Sequence, residues 1–69
     1  MVEVFKTNIR QRAKTKPVIK KLEESFPGSC VNFDLDDCDN ILRVEGDGIC
    51  PIKIKDLVTA DGYECEVLV

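Results

Sequence analysis

Apolar positions along this chain change period from about two to about four and back again, and the changes mark its elements. Val2, Val4 and Phe5 open a strand that runs to Thr7, where Thr7-Asn8 supplies turn chemistry; it is expected to lie inside a sheet. Ile9 to Lys16 is basic and weakly patterned. Pro17 stands where a helix tolerates proline, just inside a first turn, so the regular helix is expected to begin at about Lys16. From there Val18, Leu22 and Phe26 recur every fourth residue with Ile19 beside them, while Lys20, Lys21, Glu23 and Glu24 take the other face. Pro27-Gly28 ends this amphipathic helix.

Val31, Phe33 and Leu35 then alternate with Asn32, Asp34 and Asp36, the period of a strand with one face buried. Turn formers follow at Asp37-Cys38-Asp39-Asn40, and Ile41 to Val44 resumes a strand, so residues 31–45 read as an antiparallel hairpin. Gly46-Asp47-Gly48 breaks the pattern. Cys50 and Pro51 read as the cap and first residue of a second helix carrying Ile54, Leu57 and Val58, closed by Gly62. Tyr63 to Val69 alternates again as a last strand, with Tyr63, Cys65 and Val67 on one side.

The order is therefore βαββαβ over a single domain, residues 1–69. Two right-handed crossovers joined by a hairpin give an α+β, ferredoxin-like sandwich: a four-stranded antiparallel sheet of order 4-1-3-2 with both helices on one face. In that arrangement the loops at Thr7 to Arg12, Asp36 to Asn40 and Asp61 to Tyr63 meet at one end of the sheet, and Cys30 and Cys50 lie at the other.

Charge adds a second pattern. The net charge is −3, but residues 1–21 hold seven Lys or Arg against one Glu, and the remainder holds three against twelve acids. Such asymmetry can steer a charged partner; the plainer expectation is a basic first helix packed against acidic neighbours. No run of about 18 apolar residues is present to span a bilayer. Met1 leads straight into strand residues with no signal-peptide pattern, so a cytoplasmic setting with reduced thiols is expected for the four cysteines.

The first strand ending in Thr7, the helix closing on Phe26-Pro27-Gly28, the strand Val31-Asn32-Phe33-Asp34-Leu35 and Asp61-Gly62-Tyr63 before the last strand resemble the heavy-metal-associated (HMA) domain family of copper chaperones and copper-transporting ATPases. The resemblance spans nearly the whole chain and implies the fold. That family's defining Cys-x-x-Cys pair, two soft thiolates for Cu(I) after the first strand, has no counterpart in Thr7 to Ala13, and no two cysteines are closer than Cys30 and Cys38. The family's metal ligands thus carry over to no position. Phe5 to Ile9 and Asp36 to Asn40 are similar to phrases in small bacterial members that lack the pair.

The candidate metal ligands are Cys38, Cys30 and Cys50. Cys38 stands among Asp34, Asp36, Asp37 and Asp39, a set that can offer oxygens to a hard cation, although Asp39 occupies the place where an EF-hand loop needs Gly and Asp-rich tips also form for their local Asx turns. Cys50, at a helix start beside Lys53, is placed to have its thiol activated by the helix dipole, with Cys30 as a disulfide partner or plain packing as the alternative. Cys65 reads as a small buried hydrophobe on the opposite edge from Cys38.

Catalysis is not expected: the chain has no His, no Ser beside a base and no glycine-rich phosphate loop. RNA binding is set aside, because Ile41 to Glu45 lacks the stacking aromatics that a third strand would need. No cofactor, nucleic acid or membrane is expected, and the metal is left open. The leading expectation is a non-enzymatic interaction module acting through the acidic hairpin end, the basic first helix or an edge strand. A Cu or Zn carrier with unusual cysteines and a dimeric small-ligand regulatory domain are the alternatives.

Overall fold

The computed structural model describes residues 1–36 and 40–68. Its elements are β1 (Val2–Thr7), α1 (Arg12–Ser25), β2 (Cys30–Asp34), β3 (Ile41–Glu45), α2 (Pro51–Ala60) and β4 (Cys65–Leu68). The strands form one sheet of order β2-β3-β1-β4, antiparallel at every junction, which is the ferredoxin-like arrangement expected from the pattern. β1 is interior, and β2 and β4 are the edges. The hairpin tip with Asp37, Cys38 and Asp39, and the final Val69, lie outside the described residues.

Strand parity separates the two faces. Phe33, Leu42, Phe5 and Val67 form one cross-strand row and Val31 and Val44 another, and these rows meet the helices. Val18 and Leu22 of α1 and Ile54 and Val58 of α2 are buried in the same cluster, so both helices cover that face. Phe5, Leu22, Leu42 and Ile54 are wholly removed from water, each contributing about 1.5–3 kcal/mol of burial. Ile9 and Ile49, both from loops, are also buried and close the core at its two ends.

α1 begins earlier than its pattern suggests. It starts at Arg12, and Pro17 lies inside it rather than in its first turn. Proline there removes one intrahelical hydrogen bond at a cost of about 3 kcal/mol. The first turn is anchored to the core by Thr15, whose side chain is buried and whose hydroxyl donates to the Arg12 carbonyl at 2.6 Å. Gly28, at φ +86, allows the chain to reverse after the helix, where the N–H and hydroxyl of Ser29 both donate to the Phe26 carbonyl.

β2 also differs slightly: it begins at Cys30 and stops at Asp34, because the Asp34 carboxylate accepts the N–H of Asp36 at 3.2 Å and turns the chain before Leu35 can pair. α2 starts at Pro51 with Cys50 as its N-cap, as its pattern indicates. The last strand is shorter than the alternation from Tyr63, because the Glu64 N–H is held by the side chain of Asn8 instead of a ladder partner.

Candidate functional site

The face of the sheet away from the helices carries the second set of alternating residues. Its rows follow from the register: Asn32, Arg43, Val4 and Leu68 across the middle, Asp34, Ile41, Lys6 and Glu66 towards the hairpin tip, and Cys30, Glu45 and Val2 towards the other end. No described element covers this face. Val2 is 46 % and Leu68 38 % exposed, whereas Val4 and Ile41 are half-buried among their neighbours.

A shallow groove of about 590 Å³ runs across this face. Val2, Val4, Ile41 and Arg43 form its floor, and Asn32, Phe33 and Asp34 of β2 form its outer side. The groove therefore opens directly beside a sheet edge, whose backbone N–H and C=O groups on the outer side have no described strand to pair with. Arg43 lies in the middle of it without an ion-pair partner among the described residues. The pattern held a signal for this surface: Val2 and Val4 occupy the opposite parity from Phe5 and Thr7, so β1 presents apolar side chains on both faces, more than a one-sided core requires.

The cysteines are spread out. Cys30 is exposed on the open face in the row with Glu45. Cys50 is exposed at the start of α2, on the helical side, with no side-chain capping bond. Both do lie at the end of the sheet opposite the hairpin tip, but strand parity turns Cys30 away from the layer that holds Cys50. Lys53, expected beside Cys50, extends instead over the Phe26 ring, 5.9 Å from its centre. Cys38 is not described. Among the described residues no three His, Cys, Asp or Glu side chains gather as a metal-binding group.

Cys65 is buried opposite Thr7, and burial pushes its thiol up from 9.0 to about 11, with the nearby Lys55 ammonium partly offsetting the rise. It borders a second groove of about 470 Å³ with Lys6, Thr7, Lys55, Glu64 and Glu66. A thiol this hard to ionise is a poor nucleophile or metal ligand at neutral pH.

The loop after β1 is stitched to its neighbours. The Thr7 hydroxyl donates to the Asn40 carbonyl at 2.7 Å and accepts the Ile9 N–H, and the Asn8 side chain accepts the Glu64 N–H at 2.9 Å. Asn40 at the start of β3 and Glu64 before β4 thus both meet the segment after β1 at one end of the sheet, with Ile9 turned into the core.

The charge of α1 is less neutralised than expected. Lys21 pairs with Asp61 at the end of α2, while Arg10, Arg12, Lys14, Lys16 and Lys20 are exposed without an ion-pair partner among the described residues. No described helix is long and apolar enough to cross a membrane. No protein-family model, no curated protein and no solved structure matches the chain.

Proposed function

We propose that this chain is a non-enzymatic interaction module, similar in plan to HMA domains but without their cysteine pair, and that it takes an extended segment of a protein partner along β2. The observation that carries this reading is the position of the groove. β2 supplies its outer side and is at the same time an open sheet edge. A strand added there gains main-chain hydrogen bonds from the edge, and every second side chain falls on the open face beside Asn32 and Asp34. Apolar side chains then lie over Val4 and Ile41, and a carboxylate among them meets Arg43.

Supporting the non-enzymatic part, the buried thiol among the described residues, Cys65, is held in its neutral form, and the titratable groups of the open face are exposed and mixed in sign. The test is to select short extended peptides against the reduced protein from a display library and measure their affinity for variants. Val4→Lys and Ile41→Lys place a charge in the groove and should each weaken binding about tenfold or more, which corresponds to about 1.4 kcal/mol. Leu68→Lys, at the far edge of the same face, should leave it unchanged. Equal loss from all three, or none, would remove the groove from consideration.

A further inference from the structure

A second surface stands apart from the groove and does not depend on that reading. Arg12, Lys16 and Lys20 recur every four residues of α1, so their side chains form one exposed stripe with steps of about 6 Å along the axis. Arg10 and Lys14 flank its start. One turn past Lys20 the sign reverses at Glu23 and Glu24, both exposed. Of the cations on this helix, Lys21 alone is paired within the described residues, and its partner Asp61 draws it aside from the stripe.

This order of charges opposes the helix it sits on. The first turn of α1 contains no acid and the last turn no base, so cations stand at the positive end of the helix dipole and carboxylates at the negative end. Each such placement is unfavourable to the helix. The order within the helix is also the less favourable of the two, since Lys20 precedes Glu24, the weaker orientation for a pair four residues apart. Sequences break local rules in this way chiefly where a site requires it.

We infer that the exposed side of α1 docks an acidic helical segment of a partner protein. Carboxylates four residues apart on a partner helix repeat at the same interval as Arg12, Lys16 and Lys20, and a basic residue beyond them answers Glu23 and Glu24. A uniform polyanion fits less well. Its charge would continue past Lys20 onto the two glutamates and against a net charge of −3, and the exposed side of α1 offers no aromatic ring on which a base could stack.

The experiment uses a synthetic helical peptide with Glu at every fourth position over three turns followed by two Lys, a scrambled peptide of the same composition, duplex DNA and inorganic polyphosphate, each titrated into the intact protein at low salt. The ordered peptide should bind most tightly of the four. With three exposed charge pairs lost, R12Q/K16Q/K20Q should bind it about tenfold more weakly or worse, while K53Q/K55Q on α2 should change it less than about twofold. Amide shifts should cluster on α1 and leave β2 unmoved, which separates this surface from the groove. Equal binding of the scrambled peptide, tighter binding of DNA or polyphosphate, or no binding of the ordered peptide would overturn the inference.

Discussion

The Thr7 hydroxyl donates to the carbonyl of Asn40, 33 residues later, at 2.7 Å, and the backbone N–H of Thr7 reaches the same oxygen at 3.3 Å. Asn40 meets this demand at φ 49, a left-handed conformation that asparagine tolerates better than most residues. The loop after β1 and the hairpin are therefore one hydrogen-bonded unit. Thr7→Val keeps the shape but removes the donor and the acceptor for Ile9, and should lower stability by about 1–3 kcal/mol in urea unfolding, with amide shifts at Ile9 and Asn40.

Pro17 and Gly46 should respond to alanine with opposite signs. Pro17→Ala restores a hydrogen bond within α1 and should stabilise by about 2 kcal/mol, the cost of an interior proline less what the proline gains by restricting the unfolded chain. At Gly46 an added Cβ would stand 3.1 Å from Cβ and 3.2 Å from Cα of Ser29. The second is backbone and cannot swing away, so Gly46→Ala should destabilise by about 1–3 kcal/mol. Paired denaturation curves decide both.

Cys65 should be the slowest of the described thiols. At pH 8 a maleimide should label Cys30 and Cys50 well before Cys65 in variants that retain one of these cysteines at a time. Its raised pKa also links to stability. The folded chain holds the Cys65 proton more tightly than the unfolded chain, so this contribution is complete below about pH 9 and is lost as pH rises through about 11. The difference between the stability profiles of the native chain and Cys65→Ala should close over that window; a constant difference would place the thiol in water.

Reversing the charges of α1 should stabilise the isolated domain. Lys14→Glu and Glu24→Lys each put the favoured sign at a helix end and should add about 0.3–1 kcal/mol at low salt, with most of the gain lost at high salt. If the inverted charges serve a partner, the same variants bind the acidic peptide less tightly while melting higher.

Most of the fold was legible because period and punctuation agree: the alternation of Val31 to Asp34, the four-residue repeat from Val18 and the Cys50-Pro51 start all fall where the elements form. The exceptions have local causes. Proline in the interior of a helix is rare, so Pro17 reads as a start, and the burial of Thr15, which ties the first turn to the core, is invisible before packing is known. The candidate site was less legible. An edge strand could be named as a partner site, but which edge adjoins a groove depends on the register that brings Val4, Arg43 and Asn32 into one row. The expected pairing of a basic helix with acidic neighbours is met among the described residues by Asp61 at Lys21, which leaves the stripe itself without an ion-pair partner.

The measurement that bears most directly on the proposed function is backbone amide hydrogen exchange of β2, made with and without a peptide selected against the protein. The outward amides of Cys30–Asp34, unpaired at the edge, should exchange quickly in the free chain and become protected in the complex, together with shifts at Val4, Ile41 and Arg43. Protection at β4 or α1 with β2 unchanged would contradict binding along this edge.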